Sequence, residues 1–172
     1  METFQCILSR RSIRQYRGGK IPNEFIMQIL KAGTYAPSAR NYQPWHFIVI
    51  DKREILDKIP EVHPYAEMVI SASLAILVCG DLNIEKSRDY NAINCAAATQ
   101  NILLASHNIG LGAVWLGVYP RAERMRGLSR LMHLPDHIIP ISLISIGYPA
   151  EEKIAEDRFR QERIHFNGWK LG

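Results

Sequence analysis

The chain has 172 residues, 47% of them hydrophobic, and its 21 Lys+Arg against 17 Asp+Glu leave a formal net charge of +4. That length suits one domain able to bury a sizeable core, and so small a charge excess does not argue for a nucleic-acid partner. No run reaches the ~18 uninterrupted apolar residues of a membrane span, and no basic-then-apolar leader opens the sequence, so no membrane partner is expected. Behind Thr3, the recurrence of Phe4, Ile7 and Leu8 predicts a short amphipathic helix over 3–10 with Thr3 as its cap. The stretch RRSIRQY, Arg10–Tyr16, then packs three arginines and a serine into seven positions. A second helix opens at Asn23, buries Phe25, Ile26, Ile29 and Leu30 on one face, and stops at Gly33. YAPSARNYQPW is a loop, because Pro37 and Pro44 both bar continuous helix.

His46–Asp51 reads as a short strand, REILDKI as a helical turn or two, and YAEMVISAS as helical. Leu74–Asp81 is an apolar run of buried-strand type. The longest helix is expected over Arg88–His107, where its many alanines permit close approach by a neighbouring helix, in this chain or another copy. GAVWLGV is a strand, RAERMRGLSRLM a helix, and HIIPISLISIGYP a strand interrupted or begun at Pro140. Helices mixed with three or four apolar strands make an α+β sheet covered by helices the natural class. With no internal repeat or low-complexity linker, residues 1–172 read as one domain. Cys6, Cys79 and Cys95 form no Cys-x-x-Cys pair and read as buried, reduced thiols of a cytoplasmic protein.

The segment after Pro149 behaves differently. It carries Phe159, Ile164, Phe166 and Trp169 but sustains neither helical nor strand periodicity. That much aromatic surface must either wrap its own domain or lie across a partner, and the body already looks complete at Pro149.

Several chemistries are excluded by spacing. Gly110, Gly112 and Gly117 do not make a G-x-G-x-x-G turn, since Trp115 holds the third position and the glycines follow a helix rather than a strand. His133 and His137 are separated by Pro135 and do not share a helical face, so no metal site is expected. No G-x-S-x-G nucleophile motif is present, and no acid–base pair stands out. Arg10, Arg11 and Ser12 suit a phosphate, two planar forks and one hydroxyl; the alternative is a solvated basic turn favoured at a helix C-terminus. In PSARNYQPWHF, Ser38, Arg40, Asn41 and Gln43 supply hydrogen-bonding groups suited to a polyhydroxy chain, or else form an ordinary polar turn.

Four stretches, RRSIRQY, APSARNYQPWHFIVI, GLGAVWLGVYP and DRFRQERIHFNGW, occur in an order that resembles the small, single-domain form of the FMN-dependent nitroreductase family over nearly the whole chain. The resemblance implies a central mixed β-sheet flanked by helices, FMN as cofactor, NADH or NADPH as reductant, and a homodimer with two interface sites. It also implies a C-terminal arm, 149–172, that reaches the partner subunit. Catalysis would then be the flavin's, with no catalytic side chain, reducing nitroaromatics, quinones or related small-molecule acceptors by a ping-pong mechanism. Family members without turnover, as carriers or sensors, and reductive dehalogenases are the alternatives. Residue by residue, Arg10, Arg11 and Ser12 match the phosphate and ribityl contacts, and Arg14 the cation at the flavin N1–C2=O edge. Pro37, Ser38 and Asn41, with Gln43 beside them, match the loop that meets FMN from the opposite subunit. Leu116 and Gly117 match the strand whose backbone N–H approaches N5, and Arg158, with Arg160 nearby, a late cation at the phosphate. Larger members also carry an Asn and a Lys at the pyrimidine edge; HPYAEMVIS offers Glu67 but no lysine, which leaves that edge to Arg14.

Overall fold

In the computed structural model of the chain, which describes residues 1–169, every residue of strand β3 (Leu74–Asp81) is buried. Alternation along a strand sends successive side chains to opposite faces. Leu74, Ile76 and Val78 therefore meet one core, and Ala75, Leu77 and Cys79 another. The first core lies under helices α2 (Asn23–Thr34) and α5 (Arg88–Asn108), with Ile29, Ile102 and Ile144. The second lies under the short helices α3 (Arg53–Leu56) and α4 (Ile59–Val62) and helix α6 (Ala122–Leu131), with Leu56, Leu128 and Leu143. This is the α+β sheet covered by helices that the mix of helices and apolar strands implied.

β3 pairs on one side with β2 (Trp45–Ile50) and on the other with β5 (Ile138–Pro149). The far side of β5 is shared by β4 (Gly112–Gly117), along Ser142–Gly147, and by the two-residue β1 (Tyr16–Arg17) at Tyr148–Pro149. All these pairs are antiparallel; the sheet is mixed only through an isolated parallel bridge between Ser12 and Ala113.

Four local readings shift. Helix α1 (Thr3–Ser9) is capped by Glu2, whose carboxylate accepts from the Gln5 N–H, not by Thr3. Helix α2 does not stop at Gly33: a Cβ there would sit 3.0 Å from Ile102, so the glycine serves the close approach of α2 to α5. β5 runs through Pro140 without a break, because the strand register shifts between Val78 and Cys79, opposite the residue that lacks an N–H. YAEMVISAS contributes only a 3-10 turn, Glu67–Ser71.

Cys6, Cys79 and Cys95 are free and buried, and burial pushes the thiols of Cys79 and Cys95 up to about 12. Among the described residues, no helix is long and apolar enough to cross a membrane, and no three His, Cys, Asp or Glu side chains cluster as metal ligands.

Candidate functional site

The arginine-rich stretch is seated on the outer edge of the sheet. The Ile13 N–H donates to the Ala113 carbonyl (3.1 Å), and the Tyr16 hydroxyl lies 2.7 Å from the Ile13 carbonyl and 3.1 Å from that of Ser145. Two glycines make room for this. A Cβ at Gly112 would stand 2.7 Å from Ile13, and one at Gly147 2.8 Å from Tyr16. Burial of Tyr16 pushes its phenol up to about 12, so it stays a neutral donor.

The segment after β5 doubles back along the same stretch. The Glu151 carboxylate accepts from the N–H groups of Arg14 and Gln15, Lys153 Nζ donates to the Ser12 carbonyl (3.0 Å), and Arg11 Nε donates to the Ile154 carbonyl (3.3 Å). Those bonds carry Arg158 to the arginines of the amino-terminal end. Together they line a groove of about 570 Å³, with Arg10, Arg11 and Arg158 on its walls beside Glu156, Asp157 and Phe159.

The electrostatics of that groove point to an anion. Arg10 is held below the ordinary guanidinium range, first by burial and then by the charges of Arg11 and Arg158. His107, 2.8 Å from the Ser9 hydroxyl, is likewise pushed down by burial and then by Arg10 and Arg11. None of Arg10, Arg11 and Arg158 forms an ion pair among the described residues. Arg10 is repelled by Arg11 and Arg158, while Glu156 and Asp157 line the same groove without forming an ion pair with them among the described residues; a phosphate dianion would relieve that repulsion while accepting bidentate bonds.

β4 leads away from this groove. Its backbone groups alternate between β5 and the outer edge. The Ala113 carbonyl faces outward to Ile13, so the N–H and C=O of Trp115 and Gly117 also face outward, and those of Leu116 face β5. Outside the β4–β5 ladder, where Gly117 pairs with Ser142, no backbone partner meets its N–H among the described residues, and nothing lies within 4 Å of where its Cβ would be. Gly117 lies four steps beyond Ala113, about 13 Å along the strand. A phosphate-tipped chain seated at Arg10 and leading to a planar ring over Gly117 fits this edge; FMN has that shape. Of the two strand residues expected there, Gly117 offers its N–H, whereas Leu116 is buried and turned toward β5.

The loop expected to meet the same ligand lies elsewhere. Arg40, Asn41 and Gln43 hold positive φ values of 55°, 57° and 49°, a conformation that costs non-glycine residues on the order of 1 kcal/mol or more each. Local bonds hold it. Ser38 Oγ accepts from the Gln43 N–H (2.9 Å), Gln43 Nε2 donates to Asn41 Oδ1 (2.8 Å), and the Ala39 N–H donates to Asn94 Oδ1 (2.9 Å). Pro37, Asn41 and Gln43 are exposed. Asn94 sits 13 residues before His107 on α5 (107 − 94), about 20 Å along a helix axis. The loop and the arginine groove therefore stand at opposite ends of α5 within one chain.

The remaining expected residues divide similarly. Ser12 and Arg14 flank Ile13, with the Arg14 side chain exposed; Arg160 is exposed and donates to the Phe159 carbonyl (3.1 Å). Larger clefts occur beside Lys20, Arg53 and Ser73 (about 760 Å³), where Arg53 is bonded to Asp57, Val69 and Ala72, and between α4 and α6 (about 840 Å³), where Glu61 and Glu123 stand among Arg121, Arg124 and Arg130 much as Glu156 and Asp157 do at the arginine groove. Two residues at the site escaped the sequence reading. His63 Nε2 lies 3.0 Å and Arg124 Nη1 2.7 Å from the Gly117 carbonyl, and no local motif marks either.

An anion groove joined to a free strand edge on an α+β sheet defines a class of phosphate-bearing cofactor binders. The sequence model of the nitroreductase family matches residues 7–71 and 61–148. A Methanothermobacter thermautotrophicus protein with the provisional name NADH dehydrogenase/NAD(P)H nitroreductase is 50% identical over 98% of this chain and 88% of its own length. Among solved structures, an FMN-dependent nitroreductase from Clostridium difficile superposes with a TM-score of 0.89 at 30% identity, covering 96% of this chain and 99% of that one. A Desulfovibrio desulfuricans nitroreductase homologue solved in complex with FMN gives 0.84 at 31% identity, covering 99% of each chain. The chain belongs to the nitroreductase family of oxidoreductases.

Proposed function

We propose that the protein is an FMN-dependent oxidoreductase that takes electrons from NADH or NADPH and passes them to nitroaromatics, quinones or related small acceptors in a ping-pong cycle. The observation that carries this reading is the convergence of Arg10, Arg11 and Arg158 beside an unpaired strand edge ending at Gly117. Bound FMN would supply the electron transfer itself. The chain's residues have other tasks. Arg10, Arg11 and Arg158, with the Ser12 hydroxyl, would hold the phosphate and the near end of the ribityl chain. Gly117 would offer its outward N–H at N5. Arg14 would place a cation near the N1–C2=O edge, where an effective dielectric near 20 makes a charge at 4 Å worth roughly 4 kcal/mol before desolvation is subtracted.

The same geometry supports a homodimer. The loop of Pro37, Ser38, Asn41 and Gln43 is tied to Asn94, about 20 Å along α5 from His107 at the groove end, so these residues would complete a site by facing the groove of a second copy. Exposed Phe4 and Ile93 on α1 and α5 give such a copy apolar surface to cover. Beyond Phe159, the exposed Phe166 and Trp169 suit an arm laid on that copy; residues 170–172 of the expected arm lie outside the described residues.

Purified protein is expected to be yellow, and to oxidise NADH or NADPH when menadione or a nitroarene is supplied. A colourless chain that ignores added FMN would sink the reading; FMN binding without nicotinamide oxidation would reduce it to a carrier.

A further inference from the structure

The sheet holds the glycine at the end of β4 only through its pairing with Ser142. Gly117 is the last paired residue of the strand, has no side chain, and meets no atom within 4 Å on its Cβ side. Its carbonyl, however, has two side chains aimed at it from two different helical elements. His63 directly follows α4 and brings Nε2 to 3.0 Å; Arg124 on α6 brings Nη1 to 2.7 Å. We infer that His63 and Arg124 are positioning residues that lock the Gly117 backbone so that its N–H faces the flavin; the inference rests on the FMN reading above.

The bond pattern leaves few alternatives for either residue. A carbonyl only accepts, so His63 must carry its hydrogen on Nε2. Its Nδ1 has no partner among the described residues, and the side chain is 1% exposed. A buried imidazole with half its hydrogen-bonding capacity unused is a costly occupant of a core. Its single bond, to Gly117, is the gain that accounts for it. Arg124 forms no ion pair among the described residues, and its guanidinium lies 5.1 Å from the Tyr65 ring centroid, which steadies the side chain in the direction of the carbonyl.

The two helices are held close enough to converge. A Cβ at Gly127 of α6 would fall 2.6 Å from Val62 Cβ, at the last residue of α4 and next to His63. In a strand, the N–H and C=O of one residue point to the same side, so fixing the carbonyl of Gly117 fixes its N–H as well. Without these donors, a strand-terminal glycine would sample many orientations.

The test compares His63→Leu, His63→Gln, Arg124→Met and wild type. Glutamine places an amide nitrogen where Nε2 stands; leucine fills the volume and removes the unpartnered nitrogen, so it should fold. The first readout, amide hydrogen exchange in ligand-free protein at Tyr119, two residues past Gly117 and bonded to the Ile141 carbonyl (3.0 Å), needs no flavin. Exchange is expected to speed up about tenfold or more in the Leu and Met variants and to return to near wild type in His63→Gln. The second readout is stopped-flow reduction of bound FMN by NADPH, expected to slow about tenfold or more in the same two variants, since a small misplacement at a reacting centre is costly. Unchanged exchange and unchanged reduction in both Leu and Met variants would overturn the inference. Wild-type protein that binds no FMN would instead remove the functional reading, while the exchange experiment would still decide whether the two side chains hold Gly117.

Discussion

The two ends of the candidate site are built in opposite ways. At the groove, Arg10 is repelled by Arg11 and Arg158, and none of the three forms an ion pair among the described residues, although Glu156 and Asp157 line the same groove. At the loop, Ser38, Asn41 and Gln43 satisfy one another through short hydrogen bonds and hold three strained backbone positions in place. The first region would be completed by an anion. The second is chemically complete but spatially stranded, at the wrong end of α5 for its own groove. On the proposed reading, the difference teaches that a self-satisfied polar loop would belong to a site only where two copies share it.

Removing residues 155–172 should break both ends at once and have the largest effect. It deletes Arg158 from the groove and the aromatic arm proposed to cover the partner. We expect monomer or insoluble protein; an intact dimer by light scattering would separate the arm from assembly.

Arg10→Ala attacks the groove alone. Losing a bidentate charge-assisted contact should weaken FMN binding by about 1.5–3 kcal/mol, read by fluorescence titration. Unchanged affinity would end the phosphate role for Arg10. Gly112→Ala should act on the same end without touching a charge, because its Cβ would displace Ile13 and with it the seat of Ser12 and Arg14.

The combined Ser38→Ala and Asn41→Ala change tests the loop and should cost about 2 kcal/mol in FMN affinity, roughly one hydrogen bond each. The sharper experiment mixes this chain with Arg10→Ala chains under exchange conditions. If the loop serves the partner's groove, mixed dimers contain one site with both defects and one with none. Tight FMN binding should then reappear in the mixture though neither parent shows it. No recovery would place groove and loop in the service of separate ligands.

The sequence announced these regions unequally. The arginine stretch and the loop were legible because their chemistry is local: charge density in one case, Pro37, Pro44 and amide side chains in the other. Strand β3 was legible because an unbroken apolar run has few other uses, and its bounds, Leu74–Asp81, are those read from the sequence. Gly33 misled because a glycine near a helix end resembles a stop, and only the position of Ile102 reveals its packing role. β1 is two residues long and has no periodicity to detect. His63 and Arg124 were invisible for a related reason. Their meaning lies in one shared carbonyl, more than 50 residues from His63 in the chain, and no spacing rule connects them.

Acidification gives the smallest expected effect and distinguishes the groove from the rest of the molecule. His63 is pushed below its ordinary value, near 6.5, first by burial, and His107 first by burial and then by Arg10 and Arg11. Between the unfolded and folded values the unfolded chain binds more protons, so stability falls as pH drops below about 6.5 and the loss is complete once the folded values are passed. Thermal melts between pH 7.5 and 5.5 should therefore decline, each kcal/mol appearing as about 2–4 °C in Tm. His63→Gln should flatten part of that decline whether or not ligand is present. FMN should act only on the His107 part, because a phosphate beside Arg10 and Arg11 offsets the charges that depress that imidazole. A holoprotein whose acid decline parallels that of the ligand-free protein, after correction for ligand affinity, would mean that the phosphate does not sit among these arginines.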